Sequence, residues 1–469
     1  MHKILIRPLK VEDANTSYQW RNDSEIWKYT GSKPNRIITA DIEKDWLSEV
    51  LQRENEKRFA ITADDIYIGN IQLTNITKDQ AEYHIFIGDK NYWGKGIAQL
   101  ATYQILHYAK EELKLKDVYL SVRKENANAI NTYFKSSFEK TEEIDDWIKM
   151  KCKLDCLPTP MVSVFVMVYN HEKFLKECLD GILMQKCNFN FNIIVGEDCS
   201  IDNSRRILLE YQENFPGKFV LLLHNQNIGA NANQQRLLES CNGKYIAMCE
   251  GDDYWIDPLK LQKQVDFLDK NPDYAICFHK IIYQYENGIK PFIKDIEIPE
   301  TTEILDIIYN NYIPTLSVVF RNFHYYPKWM STAYPGDWPL HILNATRGKI
   351  RMMENEMGVY RVHFGGVHST TGGKPIESLA TIKDLAKEME SLGKLKERDK
   401  LLDVYDTKKI LTFVVTKNKF SQETKKTEKV KMLLKSRNLY FRILFFLPIV
   451  FPNNYYNIFE ELIKLKKQS

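Results

Sequence analysis

Residues 227–255 read NIGANANQQRLLESCNGKYIAMCEGDDYW: a helix, NANQQRLLESC, a strand, KYIAMCE, and an acidic turn, Glu250-Gly251-Asp252-Asp253. Two carboxylates as close as Asp252 and Asp253 repel by roughly 1 kcal/mol in water and several times more inside a protein. A divalent cation, Mg²⁺ or Mn²⁺, removes that repulsion and leaves coordination positions for phosphate oxygens. The same residues would also serve as a solvated turn before the helix in DPLKLQKQVDFL, with Asp257 capping it and Pro258 inside its first turn.

Working outward, the chain alternates strand and helix. VSVFVMV (162–168) is a continuous apolar run, as a strand buried on both faces requires. FLKECLDGILMQ puts Phe174, Cys178, Leu179, Ile182 and Leu183 on one helical face; FNIIVGED, SRRILLEYQENF and KFVLLLH continue the alternation. The pattern predicts a doubly wound α/β sheet with ligands at the carboxyl ends of its strands. The residues there are Tyr169-Asn170, Glu197-Asp198 and the acidic turn. Together these stretches resemble the inverting family-two glycosyltransferases of the GT-A fold over about 160–370. The resemblance implies a nucleotide-sugar donor, most often UDP-linked. Tyr169 and Asn170 would belong to the nucleotide loop, Glu197 and Asp198 to the uridine, and Asn233 and Arg236 to the helix lining the pocket. Asp252 and Asp253 become the metal and diphosphate motif, with Glu250 a conservative departure at its first position. Downstream, YPGDWPLHIL resembles the acceptor half: Asp337 matches the catalytic base and His363, in YRVH, a histidine completing the metal shell, with His368 as a rival. The Gly365-Gly366 loop would close over the donor, and the missing Q-x-x-R-W signature implies one sugar per event. Read without the resemblance, Asp337 is equally a helix cap.

The first 153 residues have another pattern. KRFAITA (57–63) and IYIGNIQLT (66–74) form strands joined by Asp64-Asp65, and AEYHIFIG (81–88) a third. Next, Ile97, Ala101, Ile105 and Tyr108 follow helical spacing, so Gly94 and Gly96 fall where strand passes to helix. Glycines there let backbone N–H groups reach an anion at the positive end of the helix, although plain turn chemistry would use them too. With the strand DVYLSV and the later segment Asn126, Ala129, Ile130, Tyr133 and Phe138, this region resembles the GNAT N-acetyltransferases. Asn91 departs from the first position of that family's Q/R-x-x-G-x-G/A loop, and Ser137 stands where a Gly is usual. The resemblance implies acetyl-CoA held by Trp93, Gly94, Lys95, Gly96, Ile97, Ala98 and Asn126, with Tyr133 protonating the departing thiolate. The attacking amine also needs a base. Glu82 and His84, alternating on one strand face, are the candidates, each equally readable as a solvated edge residue. Residues 9–31, around Trp20-Arg21-Asn22-Asp23, resemble GNAT enzymes acting on nucleotide-carried amino sugars, the pseudaminic-acid pathway type; openings of ribosomal-protein acetyltransferases are similar.

These readings give an α/β multidomain chain: a GNAT-like α+β mixed-sheet domain at 1–153, a Rossmann-like GT-A domain at 160–375, and a basic helical region at 376–469. Pro158 and Pro160 mark the linker. With 469 residues, 44% hydrophobic and 27% charged, the chain can build several cores, and a net charge of +3 gives no sign of a nucleic-acid partner. Eight cysteines without a CxxC pair fit reduced, buried thiols. With no run of 18 apolar residues and an opening, MHKILIRPLKVED, that is not a leader, the reading is a cytoplasmic protein. Residues 391–469 hold 18 Lys or Arg against 8 Asp or Glu. Their apolar-basic stretch 435–452 suits either a peripheral membrane contact or packing on protein. The resulting function is a bifunctional enzyme of surface-glycan assembly. One domain acetylates an amino sugar; the other transfers a sugar to a glycan or lipid-linked glycan. A protein amine as acetyl acceptor, or a first domain that only binds, are the alternatives.

Overall fold

Asp64 and Asp65 take positive φ, 49° and 67°, the handedness that lets a two-residue turn match the twist of its flanking strands. They join Lys57–Ala63 (β2) to Ile66–Thr74 (β3), as the sequence predicts. The computed structural model describes residues 2–29, 35–157, 159–285, 288–291, 298–363 and 375–418. They fall into two units: 2–227 with 240–247 and 257–263, and 228–239 with 248–256 and the chain from 264 onward.

In the first unit, Ile4–Pro8 (β1), Ala14–Arg21 (α1) and Ala40–Val50 (α2) precede β2 and β3. Gln80–Ile87 (β4), Ile97–Glu111 (α3), Asp117–Arg123 (β5), Ala127–Lys135 (α4), Glu139–Ile144 (β6) and Trp147–Lys153 (β7) follow. The strands form one mixed sheet in the order β1-β2-β3-β4-β5-β7-β6. Its core, with Ile6, Ile61, Ile71, Tyr83, Val118 and Phe138, is sealed by Ile97, Ala101 and Ile105 of α3. β4 and β5 run parallel but pair only over 80–82 with 117–119, and beyond that point they separate.

The first unit continues with Val162–Val168 (β8), Leu175–Leu183 (α5), Phe191–Glu197 (β9), Ser204–Asn214 (α6) and Phe219–Leu223 (β10). These strands are parallel, with β9 between β8 and β10. Every residue of β9 is buried, which explains the unbroken apolar runs.

Ala230–Ser240 (α7), Tyr245–Glu250 (β11), Tyr254–Trp255 (β12) and Lys260–Lys270 (α8) come next. The second unit then holds Tyr274–Tyr285 (β13), Gly288–Pro291 (β14), Thr301–Thr302 (β15), Ile304–Tyr309 (α9), Val319–Arg321 (β16), Asp337–Ala345 (α10) and Lys349–Val362 (β17). Pro375–Ser391 (α11) and Leu395–Asn418 (α12) pack together after them. β17 runs parallel to β13 and antiparallel to β12, so its last residues lie beside the acidic turn. The α/β multidomain fold expected from sequence is the one observed. Among the described residues no helix is long and apolar enough to cross a membrane. Gly365-Gly366, His368 and the segment 435–452 lie outside the described residues.

Candidate functional sites

The glycine turn before α3 has the conformation an anion cradle needs. Gly94 and Gly96 sit at φ 74° and 75°, a region where other residues are strained. A Cβ on either would meet nothing within 4 Å. Left-handed backbone, not crowding, therefore demands glycine, and the face of the turn is open. Asp89 receives the N–H of Asn91 at 3.0 Å, and the Trp93 indole donates to the Ile87 carbonyl at 2.9 Å. Lys95 extends over the Tyr92 ring, 5.3 Å from its centre. Ile97 is buried as the first residue of α3 and Ala98 follows it, so the positive end of a 15-residue helix faces the turn.

Asn126 accepts the N–H of Ala129 at 3.2 Å and thereby starts α4, the helix that carries Tyr133. The Tyr133 ring packs edge-on against Tyr83 (centroids 5.9 Å) and beside Phe138 (5.8 Å). Burial pushes its phenol up to about 12, so it stays protonated and able to donate. Glu82 and His84 project from the other face of β4, since Tyr83 between them points to Tyr133. The separation of β4 from β5 is where one ligand can touch both faces. His84 Nε2 lies 3.0 Å from the Thr74 hydroxyl; its side chain is 46% exposed, and partial loss of water lowers its basicity against the opposing pull of Glu82. Glu82 accepts from the Asn75 amide at 2.7 Å.

At the carboxyl ends of β8 and β9 the first unit builds a loop cluster. Asn170, at φ 58°, donates its N–H to Ser200 Oγ (3.0 Å) and accepts that of Ile201 (2.9 Å). Glu197 is fully buried, its carboxylate taken by the Ser200 N–H and the Arg205 guanidinium. It organises the loop from within, whereas Tyr169 is 43% exposed. The Asp198 N–H donates to the Val168 carbonyl at 2.9 Å, tying the two strand ends together.

In the second unit, Glu250, Asp252 and Asp253 bring one carboxylate oxygen each within 4.8 Å of one another. Asp253 is 1% exposed; its Oδ1 accepts the Arg361 N–H at 2.9 Å, and its Oδ2 has no hydrogen-bond partner among the described residues. His363 Nε2 lies 3.1 Å from Asp252 Oδ2, and the Arg361 guanidinium donates to the Asp252 carbonyl at 2.6 Å. Burial first, then the neighbouring charges of Asp252 and Asp337, pushes Glu250 up to about 8; burial, Asp252 and Glu250 push Asp253 well up. A buried carboxylate oxygen without a donor among the described residues, beside two further carboxylates, fits a divalent cation. On α7, Asn233 is buried and Arg236 exposed.

Asp337 opens α10. Its Oδ1 accepts the Trp338 N–H at 2.8 Å, and its Oδ2 accepts from Asn311 Nδ2 at 2.7 Å. The Trp338 indole, donating to the Ile307 carbonyl at 2.8 Å, pins this end of the helix. Gly336, not Asp337, stands at the cap position of α10, and Asp337 in the first turn remains close enough to Glu250 to act on its charge. Asn311 escaped the sequence reading because it comes from a loop 26 positions upstream and carries no motif.

Fold and sites define a two-domain transferase. Residues 3–139 match the family model described as Acetyltransferase (GNAT) domain, and residues 163–325 match Glycosyl transferase family 2. The chain is 31% identical to spermidine N(1)-acetyltransferase of Escherichia coli over 146 residues, 30% of this chain and 76% of that protein. It is 39% identical to an uncharacterized protein of Mycobacterium tuberculosis over 211 residues, 44% of this chain and 60% of the relative. A putative teichuronic acid biosynthesis glycosyltransferase of Bacillus subtilis is 29% identical over 160 residues, 34% of this chain and 62% of that protein. This chain thus spans less than two thirds of the length of these last two relatives. It belongs to the GNAT acetyltransferases through its first domain, and its second carries the match to the family-two glycosyltransferases.

Proposed function

We propose that the first domain, 1–153, transfers acetyl from acetyl-CoA to the amine of a nucleotide-linked amino sugar. The second, 160–375, then moves a sugar from a nucleotide donor, UDP-linked, onto a glycan with inversion. The observation that carries the second activity is the trio Glu250, Asp252 and buried Asp253, whose Oδ2 has no hydrogen-bond partner among the described residues, flanked by His363 and within electrostatic reach of Asp337. In this reading Asp252, Asp253 and His363 hold Mn²⁺ or Mg²⁺, which when bound neutralises the leaving diphosphate. Tyr169, Asn170, Asp198, Asn233 and Arg236 receive the nucleotide, with Glu197 supporting their loop. Asp337 takes the proton of the acceptor hydroxyl. Asn311 aims that carboxylate, so Asn311→Ala should lower kcat of glycosyl transfer by about tenfold with the donor KM little changed; an unaltered kcat removes the assignment.

In the first domain, the open turn at Gly94–Gly96 binds the CoA pyrophosphate, His84 takes the amine proton and Tyr133 protonates the thiolate. Tyr133→Phe should slow acetyl transfer by about 10²-fold without unfolding the domain. The base must be neutral, and partial loss of water, then Arg58, hold His84 below its ordinary value against the pull of Glu82. Activity should therefore persist through pH ~6.5, where an unperturbed histidine is half protonated, and fall only on further acidification. Full activity of Tyr133→Phe, or a rate already halved at pH ~6.5, would sink these roles.

An amino sugar suits the acceptor face better than a polycation. Arg58, Gln72 and His84 stand opposite one another across β2, β3 and β4. Of the carboxylates nearby, Glu56 is paired with Arg53 and Arg58 and Glu43 with Arg21, which leaves Glu82 as a countercharge for one amine rather than for several. The deciding experiment incubates the full chain with acetyl-CoA and either UDP-linked amino sugars or spermidine, following CoA release and product mass. CoA release with spermidine alone would overturn the amino-sugar reading. We place the enzyme in the cytoplasm, with its basic C-terminal region on the inner membrane face and a lipid-linked glycan as acceptor.

A further inference from the structure

Helix α3 is buried almost all round: Ile97, Ala101, Ile105 and Ala109 on one side, but also Tyr103, Gln104 and His107. Its own sheet accounts for the first set and, through β1, for Gln104, but not for Tyr103 and His107. A helix buried on every side needs a second partner, and this one finds it in the neighbouring domain. At Gly217, in the turn between α6 and β10, φ is 69° and the backbone lies against α3. A Cβ there would overlap the Gln104 carbonyl oxygen and come within 2.9 Å of both the Gln104 carbonyl carbon and the Tyr108 nitrogen. The Gly217 N–H donates to the Glu112 carboxylate, at the end of α3, at 3.1 Å. Gln104 ties α3 to β1, accepting the Ile6 N–H at 3.0 Å and donating to the Ile4 carbonyl at 2.9 Å. Beside the turn, Lys218 is 5% exposed and donates to the Phe191 carbonyl at 2.8 Å. A cavity of about 20 Å³ lies between Tyr103, Gln104, Gln185, Cys187, Phe191 and Lys218. At the rim, Lys186 pairs with Asp64 at 3.1 Å.

We infer that the outer face of α3 is a docking surface for the turn Phe215–Lys218, and that the glycosyltransferase domain thereby sets the CoA affinity of the acetyltransferase domain. The link is mechanical. α3 begins at the glycine turn, and a helix held on both sides presents that turn in one position, whereas a helix released on one side does not. The inference rests on the reading of Gly94–Gly96 as the CoA cradle.

The test uses the full chain, with CoA as the probe in calorimetry and hydrogen exchange followed along α3. Gly217→Val should weaken CoA binding by about tenfold and speed exchange of the amides of 104–112, although residue 217 touches no part of the cradle. Glu112→Gln, which keeps the side chain and weakens its bond to Gly217, should act in the same direction and covers the case in which Gly217→Val does not fold. Unchanged CoA affinity and exchange in a folded variant would overturn the inference. Failure of the wild-type chain to bind CoA would instead overturn the cradle.

Discussion

Asp253→Asn is expected to abolish glycosyl transfer, by 10³-fold or more on the order seen when an electrostatic clamp is removed, and to leave acetyl transfer untouched. Asp253 is nearly inaccessible, and one of its oxygens has no donor among the described residues. Asparagine at this position keeps the shape but withdraws the charge a cation requires. EDTA should reproduce the defect in the wild-type chain, and Mn²⁺ or Mg²⁺ should reverse it. The readouts are UDP release for one activity and CoA release for the other, from the same sample. Full glycosyl transfer in chelator would refute the metal assignment, and loss of both activities would indicate a structural fault instead.

Asp337→Asn should be nearly as damaging, with a different signature. If the carboxylate takes the acceptor proton, the amide costs about 10³-fold in kcat or more, while donor and metal binding survive. The amide can still accept from the Trp338 N–H through its oxygen, as Asp337 Oδ1 does now, so the first turn of α10 keeps that bond. Nucleotide affinity by calorimetry, beside transfer rate, separates the two outcomes. Weakened donor binding with normal turnover would assign Asp337 to the donor pocket, and an active variant would leave it a residue of the first helical turn with no part in transfer.

Much of this was legible in the residues. The Asp64-Asp65 turn, the buried run 162–168 and the polar residues ending β8, β9 and β11 came from periodicity and turn chemistry, and stand where the pattern put them. What stayed hidden depends on contacts distant in sequence. Spacing marked Ile97, Ala101, Ile105 and Tyr108 as one face of α3, but no period announces that Tyr103 and His107 are covered by residues more than 80 positions away. Asn311 was hidden for the same reason. Glu197 looked like a ligand contact because it ends a strand, and only the structure shows its carboxylate turned onto Arg205 and Ser200.

The turn that holds α3 sits at the amino ends of β9 and β10, whereas Asp198 follows the carboxyl end of β9, seven residues or about 20 Å along the strand. On the proposed order of reactions, an acetylated sugar made by the first domain would have that length of strand to cross before reaching the loop at Asp198. Released into solution, it would mix with every copy made by other molecules and return by collision. Joining the domains would then secure equal numbers of the two activities, with the intermediate common property, open to any competing consumer.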